Sequence, residues 1–147
     1  MISLKADLPR LLDFNAEAVE LNTLLYQVAE AWDDLIDGDA VNADVINATF
    51  YAAMVTVPRN PFYQRHFALL NPLVEAAILD WFTANDLEKT RNVDKLRTSY
   101  MLRCGLQAVT VMCARILKGV VWANAVNMEL RTAGDTWAEY AAEFGVT

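Results

Sequence analysis

The chain has 147 residues, of which 55% are hydrophobic and 21% are charged, and its formal net charge is -7. This composition excludes an intrinsically disordered chain and predicts one core-rich domain over residues 1–147. The acidic excess argues against nucleic acid or an anionic membrane surface as the main partner, since both attract basic residues. Only 5 Gly and 4 Pro are present, which disfavours an all-β fold with its many turns.

The N-terminal segment and the cysteines predict a cytoplasmic protein. The segment MISLKADLPRLLDF lacks the unbroken apolar stretch of a signal peptide. The most apolar stretch, Val109–Val126, contains Arg115 and Lys118, which favours a buried amphipathic helix over a membrane span. Cys104 and Cys113 lie about 13 Å apart along one predicted helix. They are too far apart to form a disulfide with each other, so we expect free thiols in a reducing compartment.

Capping residues predict the first two long helices. Asn15 is a typical N-cap, and the apolar spacing that follows indicates an amphipathic helix that ends at Gly38. A second helix is predicted from Asn42 or Ala43 to Val57, with Pro58 ending it. We expect this helix to bury its apolar residues, which are Val45, Ile46, Phe50, Ala53, Met54 and Val57.

The second half of the chain predicts four or five further helices. The pairs Asn60-Pro61 and Asn71-Pro72 each place a capping Asn before a Pro at the first helical position. A polar loop is predicted from residue 85 to residue 92, followed by a long helix from Val93 that is kinked or broken at Gly119. Gly134 and Asp135 predict the start of a last short helix. We therefore predict an all-α fold, a compact single-domain bundle of six or seven helices, with Trp32, Trp81 and Trp122 largely buried.

The end of the first long helix carries an acidic stripe, which we define as Glu30, Asp33, Asp34 and Asp37. The spacing places these residues on one helix face, where like charges repel and where acids oppose the helix dipole. A bound cation or a paired Arg would compensate for both effects. Mg²⁺ takes one or two carboxylates together with phosphate oxygens, so a metal-held phosphate ligand is one prediction. A solvated or salt-bridged helix end is the other.

The run Asp33-Asp34-Leu35-Ile36-Asp37 resembles the DDxxD motif of class I isoprenoid synthases, which are all-helical enzymes that bind Mg²⁺ and a prenyl diphosphate. The resemblance implies Asp33 and Asp37 as metal ligands, with Asp34 as a weaker candidate. The chain is too short for the cavity of such a synthase and has no second metal motif. Helical nucleotide pyrophosphohydrolases offer a second comparison through Glu17-x-x-Glu20 and Glu30-x-x-Asp33, but these two pairs lie on one unbroken predicted helix.

The segment PRNPFYQRHF contains Arg59, Arg65 and the only histidine, His66, among aromatic residues. Arg59 and Arg65 are candidate phosphate ligands, Tyr63 is a candidate stacking platform, and His66 is a candidate acid or base. The alternative is a helix corner whose aromatic residues belong to the core and whose arginines pair with the protein's own acids.

Tyr100, Arg103, Gln107 and Thr110 recur at helical spacing along an otherwise apolar segment. Arg103 requires a partner there, because a buried lone charge costs several kcal/mol. An aspartate of the acidic stripe is one candidate. A bound anion is the other, which makes Arg103 a third candidate phosphate ligand.

Across most of its length the chain looks like the small helical proteins encoded by tailed phages and prophages. Trp32–Asp39, Pro58–Phe67 and Tyr100–Gly105 carry this resemblance. It implies a phage-related origin, a location in the host cytoplasm or the virion, and no catalytic residue. We expect a non-enzymatic accessory or assembly protein that binds a protein partner or a second copy of itself, without nucleic acid or membrane. The alternative is Mg-dependent binding or hydrolysis of a phosphate-bearing small molecule.

Overall fold

The computed structural model describes residues 4–146, with side chains from residue 7 onward. It is 81% helical and has no strand among these residues, which confirms the predicted all-α fold class. The described chain divides into two compact units, residues 4–67 and residues 68–146. Each unit has its own set of packed helices.

The first unit consists of short and long helices joined by tight turns. They are α1 (Leu4–Leu11), α2 (Ala16–Asp37), α3 (Ala43–Tyr51), a π-helical turn (Ala52–Thr56), α4 (Val57–Arg59) and α5 (Pro61–Arg65). Both predicted ends of α2 are confirmed. The Asn15 side chain accepts a hydrogen bond from the backbone N–H of Ala18 at 3.0 Å. Gly38 ends the helix with a φ of 80°, a conformation that glycine adopts without steric cost.

Asn60 connects α5 to α2. Its side-chain oxygen accepts a hydrogen bond from the N–H of Tyr63 at 3.0 Å, as the Asn-Pro pattern predicts. Its amide nitrogen donates to the carbonyl of Glu17 at 2.9 Å, and Asn60 itself is buried. The core beside this junction is made by fully buried side chains, among them Leu8, Leu11, Leu12, Leu21 and Phe62.

The predicted burial of α3 is wrong. Neither α3 nor the π-helical turn has a buried residue, and Phe50 and Met54 are 69% and 63% exposed. Of the apolar residues expected in this core, only Val57 is buried. Apolar residues lie on two opposite faces of the segment, so the pattern does not identify which face packs against α2. Pro58 also does not end the helix, because the π-helical turn leads into α4, whose first turn accommodates a proline.

The second unit contains nearly all of α6 (Phe67–Lys89) and four further helices. These are α7 (Val93–Leu102), α8 (Gln107–Lys118), α9 (Val120–Thr132) and α10 (Trp137–Glu143). Two boundaries differ from prediction. Helix α6 runs through Pro72 without a new start at Asn71, and residues 85–89 of the predicted loop are helical. Pro72 is the sixth residue of α6, where a proline removes one backbone hydrogen bond of the helix, and α6 continues past it.

The predicted long helix after Val93 bends before it reaches Gly119. Residues 103–106 separate α7 from α8, and Gly105 in this bend lies against α6. A Cβ atom on Gly105 would lie 3.2 Å from the Cα of Ala77, so a larger side chain would push the bend away from α6. The predicted break at Gly119 is confirmed. The last helix is capped by Thr136, in a capping box with Glu139, rather than by Asp135.

Several large apolar side chains are less buried than predicted. Trp32, Trp81 and Trp122 are half-buried. Phe82, next to Trp81, is 51% exposed. Cys113 is buried and Cys104 is half-buried, and the two do not form a disulfide with each other, as the spacing predicts.

Two helical stretches would be long and apolar enough to cross a membrane, by length and composition only. They cover residues 67–89 and 93–118, with mean hydropathy of 1.3 and 1.2 over their most apolar windows. Two such stretches are weak evidence for a membrane-spanning protein, since core helices of soluble proteins satisfy the same criterion. The first stretch carries Glu75 and Asp80 near its middle. The second is interrupted by the bend at residues 103–106, which contains Arg103. Charges in such positions are costly in lipid.

Candidate functional site

An open groove of about 620 Å³ lies between α2 and the segment formed by α3 and the π-helical turn. Helix α2 contributes the apolar side chains of Leu24, Val28 and Ala31. The connection between the two helices, residues 38–42, is short, so they form a helical hairpin. The volume lies within the range of ligand-binding clefts, which are usually lined by apolar groups with a few polar ones.

The opposite wall of the groove is made of small and hydroxyl-bearing residues. Ala48 and Ala52 leave room between the helices, and Thr49 and Thr56 add hydroxyl groups. Thr56 and Ala52 belong to the π-helical turn. Turns of this type interrupt regular helices and often occur at functional sites. Val45 and Tyr51 also line this wall, and the small side chains of Ala48 and Ala52 between them leave part of the space next to α2 unfilled.

The structure places half of the acidic stripe at this groove. Glu30 and Asp34 line it, with Glu30 exposed and Asp34 half-buried. Asp33 is half-buried and Asp37 is exposed, and neither lines the groove. Within residues 4–146, no three His, Cys, Asp or Glu side chains are arranged to hold a metal ion. The predicted Mg²⁺ site at Asp33, Asp34 and Asp37 thus gains no support from the geometry and stays a prediction.

The segment from Pro58 to Phe67 forms a helix corner. Phe62 and Tyr63 are 2% and 6% exposed, so Tyr63 has no free ring face on which a ligand could stack. Its burial also raises the pKa of the Tyr63 hydroxyl. The His66 ring is half-buried, with its centroid 4.7 Å from that of Phe62.

The two arginines of this corner differ in their surroundings. Arg65 forms an ion pair with Glu17 on α2, so one of the protein's own acids already faces this candidate phosphate ligand. Arg59, at the end of α4, is exposed. For Phe62, Tyr63 and Arg65, the contacts match the helix-corner alternative. A phosphate-binding role of Arg59 stays a prediction.

Arg103 has a partner that sequence reasoning missed, Glu88. The guanidinium Nε donates to Glu88 Oε1 at 2.9 Å, and Nη2 donates to Glu88 Oε2 at 2.6 Å. Nη2 also donates to the side-chain oxygen of Asn85 at 2.7 Å. The guanidinium lies 4.9 Å from the ring centroid of Trp81, within the range of a cation–π contact. This pair supplies a carboxylate for the charge of Arg103 without any residue of the acidic stripe.

Two hydroxyl groups complete the Glu88 network, which we define as Glu88, Arg103, Ser99, Tyr140 and Asn85. Ser99 Oγ donates to Glu88 Oε1 at 2.7 Å, and the Tyr140 hydroxyl donates to the same oxygen at 2.5 Å. Burial opposes the charged form of Glu88, but the hydrogen bonds from Arg103, Tyr140 and Ser99 outweigh it and lower the pKa of Glu88. Burial and the hydrogen bond to Glu88 raise the pKa of Tyr140 to about 12. The network thus holds α6, α7 and α10 together, with each oxygen of Glu88 hydrogen-bonded.

The spacing of residues along α6 contains a signal that Glu88 is the partner of Arg103. Trp81, Asn85 and Glu88 are spaced by four and three residues, so they share one face of a helix, and all three contact Arg103. The polar composition of residues 85–92 instead led to the prediction of a loop. Extending the predicted helix that contains Trp81 by one turn places the Glu88 carboxylate on the same face as Trp81, where it can pair with an arginine.

Comparison with known proteins assigns the chain to no family. No protein-family model matches it, and no curated protein and no solved structure is significantly similar to it.

Proposed function

We propose that this protein is a non-enzymatic binding module. Its exposed apolar helix faces bind a protein partner, which includes a second copy of itself. This is the role implied by the resemblance to small helical phage proteins, with an accessory or assembly function. The proposal assigns no catalytic residue. The Glu88 network is structural in this account, because the hydrogen bonds within the protein already occupy both carboxylate oxygens.

One observation carries the proposal, namely the outer face of α3 and of the π-helical turn that continues it. Ile46 and Phe50 on α3 and Met54 in the turn are spaced four residues apart, so they lie on one side of this segment. They are 40%, 69% and 63% exposed, and none of them lines the groove. We call these three residues the outer stripe. A continuous apolar stripe on a surface helix is typical of a face that packs against another helix.

Further exposed apolar residues lie in the second unit. On α6, Leu79 and Phe82 are 55% and 51% exposed, and on α9, Val121 and Met128 are 88% and 68% exposed. Large exposed apolar patches on a protein surface mark interaction sites more often than they mark inert surface. The Mg-dependent phosphate alternative has no comparable observation in its favour.

Sedimentation equilibrium tests this proposal. We expect the wild-type protein to associate in a concentration-dependent way, since burial of apolar area stabilises association by about 25 cal/mol per Å². The triple variant I46Q/F50Q/M54Q removes the outer stripe and is expected to weaken association by more than about tenfold, or 1.4 kcal/mol. Its helix content by circular dichroism stays unchanged, because these side chains are exposed.

A matched control is Asn47→Gln, which alters an exposed polar residue of the same helix and is expected to associate like wild type. A wild-type protein that stays monomeric at high concentration, and that binds no hydrophobic dye, would contradict the proposal. So would a triple variant that associates as tightly as wild type.

A further inference from the structure

We propose that the groove between α2 and α3 is the docking site for a basic amphipathic helix of a partner protein. This inference rests on the proposed binding function and specifies one surface and the chemistry of its occupant. The groove is distinct from the outer stripe, since the two occupy different faces of α3.

The length of the groove suits a helix. Its lining residues extend from Leu24 to Asp34 on α2, and from Val45 to Thr56 on the opposite wall. At a rise of 1.5 Å per residue, the trough is about 15 Å long, or close to three helical turns. Because the groove is open rather than enclosed and follows two neighbouring helices, a third helix can lie along it.

The floor of the groove suits an apolar helix face. Leu24, Val28 and Ala31 from α2 and Ala48 and Ala52 from the other wall present apolar carbon to the space. Small side chains on the lining allow another helix to approach closely. Side chains at positions i, i+3, i+4 and i+7 of an incoming helix would fill the space that α3 leaves against α2.

The charge of the groove selects a basic occupant. Residues 11–58 contain nine acidic side chains and no Lys, Arg or His, although the whole chain has 12 Lys and Arg. All of the groove-lining residues fall in this segment. Glu30 and Asp34 are one helical turn apart on α2, and both line the groove together with the apolar residues. An occupant that covered these carboxylates without supplying positive charge would leave them desolvated, at a cost of several kcal/mol.

Other occupants fit these observations less well. The negative charge of the segment repels nucleic acid and anionic lipid. A metal ion lacks a suitable set of ligands among residues 4–146. A helix with Leu on one face and Lys beside it meets both the apolar floor and the two carboxylates.

A fluorescently labelled peptide tests the inference on the full-length protein. The probe is an amphipathic Leu/Lys peptide of about fourteen residues, or four turns. Its control has Glu in place of every Lys. By fluorescence anisotropy, we expect the Leu/Lys peptide to bind wild type more weakly as salt is raised, and the Leu/Glu peptide not to bind.

Two sets of variants locate the binding. The variant E30Q/D34N removes the groove carboxylates and is expected to weaken binding about tenfold, because two cross-interface charge pairs are lost. The matched control D39N/D44N removes the same charge from exposed acids of the same segment that do not line the groove. We expect it to bind the peptide with an affinity within about twofold of wild type, because exposed charges away from the groove are screened by salt.

A third variant, Ala48→Trp, fills the groove and is expected to abolish binding.

Several results would overturn the inference. These are an equal loss of affinity in E30Q/D34N and D39N/D44N, binding of the Leu/Glu peptide, or unchanged affinity in a folded A48W protein. If A48W instead changes the oligomeric state in sedimentation equilibrium, a second copy of the chain covers the groove, and the inference is wrong. Loss of self-association in I46Q/F50Q/M54Q, with no peptide binding to wild type, would contradict this inference while supporting the proposed function.

Discussion

Glu88 lies near the end of α6 with both carboxylate oxygens hydrogen-bonded, whereas Glu30 and Asp34 lie on α2 and line an open groove. Arg103, two hydroxyl groups and a nearby indole surround Glu88. The segment that contains Glu30 and Asp34 has no basic residue from position 11 to position 58. The protein thus satisfies one carboxylate internally and leaves two others beside a space that it does not fill.

This difference separates a structural role from a binding role. A carboxylate whose partners belong to the same fold stabilises that fold, and removing a partner leaves a buried charge. A carboxylate beside an apolar groove contributes little to stability but determines which occupant can cover it. Stability and binding measurements should therefore respond to different residues in the two units.

The largest effect on stability is expected from Arg103→Met. This change leaves Glu88 buried without its cationic partner, since the side chains of Arg103 and Glu88 are only 19% and 13% exposed. We expect a loss of about 3 kcal/mol in the free energy of unfolding, measured by urea denaturation.

The control for this prediction is Lys89→Met. Lys89 pairs with Asp86 on the exposed surface, where both side chains are about three quarters exposed, and we expect a change below about 0.5 kcal/mol. The double variant R103M/E88Q should recover part of the loss, because it removes the uncompensated charge. Equal effects of R103M and K89M would show that the Glu88 network does not stabilise the fold.

A smaller loss is expected from Tyr140→Phe, which removes the hydroxyl that contacts Glu88 and Ser99. We expect about 1 to 2 kcal/mol of destabilisation at neutral pH. Tyr140 has a folded pKa of about 12 against an ordinary value of 10.0. Its contribution is therefore fully present below pH 10.0 and is lost as the pH rises toward 12. Wild-type stability should fall across this window more steeply than that of Y140F, and parallel curves would contradict the assignment.

Acidification provides a third comparison, between wild type and Glu88→Gln. The pKa of Glu88 is lowered in the folded state from an ordinary value of 4.5. The stability that its charge contributes is therefore present above pH 4.5 and is lost as the pH falls through the folded value. Urea denaturation at a series of pH values should show a steeper acid loss in wild type than in E88Q. Identical slopes would mean that Glu88 titrates alike in the folded and unfolded states.

The smallest effect on stability is expected from E30Q/D34N. These residues lie one turn apart on α2, so neutralising them relieves a like-charge contact and stabilises the helix by a few tenths of a kcal/mol. The midpoint of thermal unfolding should rise slightly or stay unchanged. In D39N/D44N it should fall slightly, because Asp44 lies in the first turn of α3, where a negative charge favours the helix dipole. A loss of more than about 1 kcal/mol in E30Q/D34N alone would assign these carboxylates a structural role.

Capping chemistry made much of the fold predictable. Asn15, Asn42 and Asn60 each precede a helix and accept the hydrogen bond that a cap provides. These bonds form between residues three apart in sequence, so a local pattern is sufficient to predict them. Asn71 shows the limit of this reasoning, because the same Asn-Pro pair lies inside α6.

Packing was less predictable, for two physical reasons. Helix α3 and the π-helical turn carry apolar residues on two opposite faces, so their periodicity does not indicate which residues remain exposed. The prediction that Phe50 and Met54 belong to the core is therefore wrong. Glu88 lies on α6, and Arg103 lies fifteen residues later, in the bend that follows α7. The sequence shows that an arginine on an apolar helix face needs an acidic partner, but it does not show which acid is that partner.

Hydrogen–deuterium exchange of the full-length protein, with and without the Leu/Lys peptide, tests most directly whether the α2–α3 surface is the binding surface. The account predicts slower exchange in the peptide complex at residues 24–34 and 45–56. It predicts unchanged exchange around Ser99, Arg103 and Tyr140. Unchanged exchange in α2 and α3, or protection confined to the helices of the Glu88 network, would contradict it.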